Sequence, residues 1–435
     1  MSTTRALDRD HVWHPFTQEH TAPPPVPIRS ASGSVLVTEE GDEILDLVSS
    51  WWVNLHGHAH PRIAGAIGEQ AGRLEQVIFA GFTHEPAARL SAELAQRLPG
   101  DLERVFFSDD GSTAVEVGLK MASQYWRNRD APRRRFLAFE GGYHGDTVGA
   151  MSAGVASGFF DTFSDMLFPV DTLPFPETWE DDAEVEAKEA RSLAALEAYL
   201  DAHGGETAAL IMEPLVQGAG GMRMCRPEFM QALAARLRAH DILIIFDEVM
   251  TGFGRTGTLF ASERAGVTPD IICLSKGLTA GYLAMSVTVC TSAIYEAFLD
   301  ESFDKALVHG HSFTANPLGC AAGLASLALF DEEPVMERIA AMEHAHRAAF
   351  EEIARHPRAR HWRVTGSIAA LDIAVPDGGY NSEAGPWLKA FFLERGLLLR
   401  PLGNVLYMLP PYCTTDAQLQ SGYEGIAEAL ERLPV

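Results

Sequence analysis

Lysine is scarce in this chain, with five among 435 residues, at Lys120, Lys188, Lys276, Lys305 and Lys389. Basic residues together number 34 against 59 acidic ones, a formal charge of -25, which argues against a large footprint on a nucleic-acid backbone. A small ligand is not excluded, because local charge decides its binding. Cysteine is sparse too. Cys225, Cys273, Cys290, Cys320 and Cys413 are scattered, odd in number and never in CxxC spacing. That argues against a disulfide framework and a zinc ribbon, and suits a reducing cytoplasm. No uninterrupted apolar run reaches membrane-spanning length, and the opening MSTTRALDRD lacks the apolar core of a secretory signal. The expectation is a soluble chain, 47% hydrophobic and long enough for more than one domain.

The patterning that is present reads as alternating helices and strands. GSVLVTEEGDEILDLVSS alternates like a hairpin turning at Glu40-Gly41-Asp42. From about Pro61, helical stretches such as HPRIAGAIGEQAGRL and STAVEVGLKMASQYW are interspersed with short apolar strands, RVFFSD, RFLAFE, AALIMEP, ILIIFDEV and DIICLSK. Continuous apolar strands separated by helices predict a mostly parallel sheet covered on both faces, an α/β fold. Much of the acidity lies between Glu177 and Glu206, a loop entering an amphipathic helix. The last hundred or so residues, with RVTGSIAALDIAV and LLLRPLGNVLYMLPP, read as a smaller α+β domain joined through the helical run ANPLGCAAGLASLALFDEE.

Two strand signals end in charge: Asp247-Glu248 and Lys276. In a parallel α/β sheet, ligands bind beyond the carboxyl ends of the strands. Lys276 alone among the lysines is embedded between apolar runs, and a semi-buried lysine has a lowered pKa and can attack carbonyls. VFFSDDGSTAVEVGLKMA reads strand, turn, helix, with Gly111 and Ser112 placed to seat a phosphate at a helix N-terminus. EGGYHGDT leaves Tyr143 and His144 on a tight glycine loop, where an aromatic ring could stack on a flat cofactor. Taken singly, each has an ordinary reading: a solvent-reaching lysine, a helix cap, a loop anchor. Together they fit pyridoxal phosphate, in which a lysine holds the cofactor and a carboxylate keeps its pyridine nitrogen protonated.

The stretch IFDEVMTGFGRTGTLFASERAGVTPDIICLSKGLTAG resembles the signature of class III (omega-type) aminotransferases, and SDDGSTAVEVGLKMA, GGYHGDT, EPLVQGAGGM and HGHSFTANPLGCAA extend the resemblance over nearly the whole chain. Within that family, HVWHPFTQ, SSWWVNLHGHAHP, GLLLRPLG and YMLPPY resemble the branch that converts 8-amino-7-oxononanoate to 7,8-diaminononanoate in biotin biosynthesis. The resemblance implies fold type I. Its large domain, residues 61–325, would carry the cofactor on a mostly parallel seven-stranded sheet. Residues 1–60 and 326–435 would form a smaller α+β domain built from both chain ends, with the first segment also walling the active site.

It further implies that Lys276 is the Schiff-base lysine and proton shuttle, with Asp247 beside the pyridine nitrogen. Gly111 and Ser112 would hold the phosphate, and His311 and Ser312 would complete the cup from the neighbouring subunit of a homodimer. Tyr143 would stack on the ring and touch substrate. Phe16, Trp51, Gly310 and Arg400 would line the substrate pocket, with Arg400 pairing the carboxylate in the bidentate geometry a guanidinium allows. Arg255 is expected at the active site as well.

Two positions depart from the best-known S-adenosylmethionine-using pattern. Phe16 lacks the hydroxyl of WHPYT, and His311-Ser312 replace the Pro-Thr of HGPTF. The resemblance places S-adenosylmethionine ahead of L-lysine as amino donor. Another omega-aminotransferase, acting on a diamine, a 4-aminobutyrate-like or a beta-amino acid substrate, is the alternative. A catalytically silent scaffold is disfavoured by the intact Lys276, Asp247 and Ser112. His56 to His60, HGHAH, lacks an accompanying carboxylate or cysteine cluster, so no metal is expected there. His11 and His14 are expected to be scaffold, with Pro15 fixing the turn that brings Phe16 to the wall.

Overall fold

The computed structural model of the protein describes residues 3–154 and 161–434. Its centre is a seven-stranded sheet. In chain order the strands are β1 (Leu102–Ser108), β2 (Arg135–Phe139), β3 (Asp171–Leu173), β4 (Thr207–Met212), β5 (Leu243–Asp247), β6 (Ile271–Leu274) and β7 (Ser286–Thr291). In space they run β1-β7-β6-β5-β4-β2-β3. All neighbours are parallel except β7, which is antiparallel to both β6 and β1. Every residue of β4, β5, β6 and β7 is buried, which is why these segments read as unbroken apolar runs.

Alternate residues serve the two faces. Ile245, Ile271 and Cys273 pack with Val115, Leu119 and Trp126 of the helix Gly111–Asn128, while Ile244, Phe246, Ile272 and Leu274 join the larger core on the other side. The expected mostly parallel sheet, covered on both faces, is therefore present.

The two chain ends meet away from this sheet. Glu43–Asp46 pairs antiparallel with Val35–Thr38, closing the expected hairpin, and parallel with Leu397–Leu398 through Leu45 and Asp46. A three-stranded antiparallel sheet, Ala359–Thr365, Ile368–Ile373 and Val405–Met408, completes the C-terminal part. The helix Pro317–Glu332 runs unbroken through the expected boundary at 325/326. It packs on the helices Pro61–Ala71 and Glu85–Arg97, so it belongs with the preceding residues and the turn comes at its end. Among the described residues, no helix is long and apolar enough to cross a membrane.

Candidate active site

Beyond the carboxyl ends of β5 and β6 lies a cavity of about 530 Å³. Asp247 closes β5, and Lys276 follows β6 at the start of a short turn, with a left-handed φ of 43°. The Lys276 Nζ sits 4.7 Å from the centroid of the Trp52 ring. Burial pulls its pKa down to about 8, with Asp247 and Glu213 only partly opposing. An amine in this state is partly unprotonated near neutral pH and so nucleophilic.

Asp247 is held rather than solvated. His144 Nδ1 lies 2.7 Å from its Oδ2, and the Val249 N–H donates to its Oδ1 at 3.1 Å. Burial works against a charged His144, but the hydrogen bond and charge of Asp247 outweigh it and raise the imidazole pKa. Glu213, at the end of β4, accepts from the Tyr143 N–H at 3.0 Å and the Gly218 N–H at 2.9 Å. Its burial lifts the carboxyl to about 7.

The helix Gly111–Asn128 points its first turn at the cavity. Asp110 caps it, accepting from the Thr113 N–H at 2.9 Å, while Thr113 Oγ1 accepts from the Asp110 N–H at 3.0 Å. Ser112 Oγ accepts from the Asp146 N–H at 3.1 Å. A Cβ on Gly145, whose φ is 121°, would overlap Ser112, and one on Gly111 would come within 2.7 Å of Val249. The absence of both Cβ atoms leaves a cradle at a helix N-terminus, the chemistry that seats a phosphate. Lysine amine, anchored carboxylate, phosphate cradle and the half-buried Tyr143 line one cavity. That set fits pyridoxal phosphate.

The opposite wall is aromatic. Phe16 meets Trp51 edge-on with centroids 5.7 Å apart, and the Arg400 guanidinium stacks over Trp51 at 4.4 Å. Ser49, Ser50 and Trp52 all have left-handed φ, 52°, 61° and 65°, a strained run of the kind that clusters at functional sites. It presents Trp51 to the cavity mouth while Trp52 is buried beside Lys276, its Nε1 donating to Tyr407 Oη at 3.0 Å.

The family model for class-III aminotransferases matches residues 16–430. This chain belongs to the class III aminotransferase family. It is 56% identical to an adenosylmethionine-8-amino-7-oxononanoate aminotransferase of Synechococcus elongatus, over 97% of this chain and 99% of that one. A namesake from Geobacter sulfurreducens is 40% identical over 98% and 97%. Among solved structures, the adenosylmethionine-8-amino-7-oxononanoate aminotransferase of Methanocaldococcus jannaschii superposes with a TM-score of 0.92 at 32% identity, covering 99% of each chain. The fold-type-I transaminase fold and dependence on pyridoxal phosphate follow from family membership.

Within this aminotransferase, Phe16, Trp51, Gly111, Ser112, Tyr143, Asp247, Lys276 and Arg400 all line the one cavity. Arg255, expected at the active site, does not line it. It is 1% exposed and lies behind the wall, donating to the carbonyls of Pro410 (3.1 Å), Trp52 (3.4 Å) and Asn54 (2.8 Å). A guanidinium carries five N–H donors in a fixed fork and can hold several diverging carbonyls at once, so Arg255 acts as a clamp on the Trp52 segment. Gly310, His311 and Ser312 also lie outside the cavity of their own chain. They sit on the loop before the helix Pro317–Glu332, where Gln76 Nε2 donates to the Ser312 carbonyl at 2.9 Å and His311 Nδ1 stands 3.0 Å from Asp109.

Sequence reasoning missed His144, Glu213, Trp52 and Tyr380 as lining residues. Glu213 carried the same signal as Asp247, a carboxylate closing an apolar strand. The histidines of HGHAH take separate partners. His56 Nε2 is 3.1 Å from Ser326 Oγ, and His58 Nε2 is 2.9 Å from Asp46. His14 pairs with Asp8 at 3.0 Å, and Pro15 and Phe16 reach the cavity.

Proposed function

We propose that this chain transaminates 8-amino-7-oxononanoate to 7,8-diaminononanoate, the step used in biotin synthesis, with S-adenosylmethionine as amino donor. The observation that carries the reading is the placement of two basic groups in one cavity: the Lys276 amine at the strand ends, and the Arg400 guanidinium stacked on Trp51 in the wall. Between lie the apolar surfaces of Phe16, Trp52 and Leu402. A ketone joined by an alkyl chain to a carboxylate matches that layout, with the carboxylate on the guanidinium. The names of the relatives point the same way.

Each residue then has a defined task. Gly111 and Ser112 would hold the cofactor phosphate, Tyr143 would cover the ring, and Asp247, pinned by His144, would face the ring nitrogen. When bound, pyridoxal phosphate supplies an electron sink that acidifies the C–H beside an amine. Lys276 Nζ would hold the cofactor and, once free, its lowered pKa would let the neutral amine take the α proton and return it. The aromatic wall orients substrate and keeps water off the lysine.

The reading includes a homodimer, in which His311 and Ser312 complete the neighbouring subunit's phosphate cup. Ile78, Phe82, Val308 and Phe313, exposed at 65%, 62%, 72% and 62%, flank the Gln76–Ser312 contact and support a subunit interface there. A cytoplasmic location is supported by five cysteines that form no disulfide.

The test is a pair of half-reactions. The pyridoxal form is mixed separately with S-adenosylmethionine and with L-lysine, and conversion to the pyridoxamine form is followed by absorbance. 8-Amino-7-oxononanoate should then restore the starting spectrum. Conversion by a generic omega-amine but by neither donor would favour the other omega-aminotransferase reading. That reading draws on structures such as the omega-transaminase of Thermomicrobium roseum, at 30% identity and a TM-score of 0.93, covering 99% of this chain and 98% of that one.

A further inference from the structure

The wall beside Arg400 contains a residue that neither the strand-end logic nor the family signature accounts for. Tyr380 lines the cavity together with Arg400 and Leu402. It sits in the loop VPDGGYNSEA, and the structure shows how that loop is seated. The Gly379 N–H donates to Asn404 Oδ1 at 2.7 Å, and Asn404 Nδ2 donates to the Ile373 carbonyl at 2.9 Å, tying the loop to the neighbouring strand end. Asp377 closes it internally, accepting from the Glu383 N–H at 2.7 Å and Ser382 Oγ at 3.2 Å. Gly403, with a φ of 60°, lets the two loops touch, since a Cβ there would overlap the Gly379 carbonyl and the Tyr380 Cα.

Asn404 and Gly403 therefore fix the Tyr380 loop against the segment that carries Arg400 and Leu402. The close approach of Gly403 to Gly379 and Tyr380 puts Tyr380 and Arg400 at the same end of the cavity. A carboxylate on Arg400 has lone pairs beyond those a single guanidinium fork satisfies, and Tyr380 is a cavity-lining phenol on the same wall.

We infer that Tyr380 is a specificity-determining residue: its hydroxyl donates to the substrate carboxylate beside Arg400, with Asn404 as the positioning residue that holds its loop. The inference rests on the proposed substrate. It predicts that Tyr380 discriminates for a carboxylate at the far end of the ketone chain and contributes nothing to chemistry at Lys276.

The experiment compares 8-amino-7-oxononanoate with 2-amino-3-octanone, the same amino ketone without its carboxylate, on holoenzyme. Wild type should prefer the acid. Y380F should lower kcat/KM for the acid about tenfold or more, the range for a lost hydrogen bond to a charged group. The change should fall on KM and leave kcat and the octanone values within twofold. N404A should shift KM for the acid in the same direction by less. Equal losses on both substrates, or no loss on either, would overturn the role of Tyr380. A wild-type enzyme that shows no preference for the acid would instead overturn the substrate reading. The two failures are thus distinguishable.

Discussion

His144 Nδ1 stands 2.7 Å from Asp247 Oδ2, with both side chains buried at the carboxyl end of β5. The pair fixes the carboxylate's orientation before any cofactor arrives. Replacing His144 with Phe should weaken cofactor binding by at least tenfold, because a buried charge-assisted hydrogen bond contributes roughly 1.5–3 kcal/mol. Equilibrium titration with pyridoxal phosphate measures this directly. The pair also predicts a pH dependence. The folded pKa of His144 is raised above its ordinary 6.5, so its contribution to stability is complete below that value and fades as pH rises through the raised one. The stability gap between wild type and H144F should shrink accordingly in denaturant titrations at increasing pH.

Lys276 has the opposite sign. Its pKa falls from 10.5 to about 8 on burial, so the ammonium opposes folding. That penalty is complete below the folded value and disappears between about 8 and 10.5 as the unfolded chain alone stays protonated. K276M, without cofactor, should be more stable than cofactor-free wild type at neutral pH by a few kcal/mol, at about 1.4 kcal/mol per pKa unit. Thermal unfolding at pH 7 and pH 10 tests it. A constant difference at both pH values would contradict the assignment.

Arg255 should behave as a clamp. R255M leaves the carbonyls of Pro410, Trp52 and Asn54 without their donor, at about 1–3 kcal/mol for each buried group left unsatisfied. A lowered chemical-denaturation midpoint is expected, together with a raised KM as Trp52 loosens beside Lys276. An effect on KM with stability unchanged would instead return Arg255 to direct substrate binding.

Phe16 is 54% exposed at the cavity edge, so F16Y should leave stability within about 0.5 kcal/mol. The expected outcome is a severalfold rise in kcat/KM for S-adenosylmethionine relative to L-lysine, read from donor half-reactions. An unchanged ratio would remove Phe16 from donor choice.

The parts of this structure most legible in the sequence are those whose burial is complete. The strands β4 to β6 announce themselves because both faces are covered, and their terminal charges mark the cavity. Gly111 and Ser112 were legible only in company, because a glycine turn before an amphipathic helix is as often a plain helix cap as a ligand seat. The place of Arg255 behind the wall was not legible, because a guanidinium bonded to backbone carbonyls leaves no trace in sequence; its partners Pro410, Asn54 and Trp52 lie 155, 201 and 203 residues away along the chain. Tyr380 was invisible for a similar reason. Its loop has no periodicity, and its place depends on the Asn404 side chain and a missing Cβ at Gly403.

The parallel pairing of Leu45 and Asp46 with Leu397 and Leu398 sets an order of assembly. The cofactor-bearing sheet is complete in sequence at Thr291, so it can form while the chain is still being synthesised. The wall of Phe16 and Trp51 has to wait for Tyr380, Arg400 and Leu402, which leave the ribosome near the end of translation. A nascent chain thus carries Asp247 and Lys276 on a complete sheet before the wall that faces them exists.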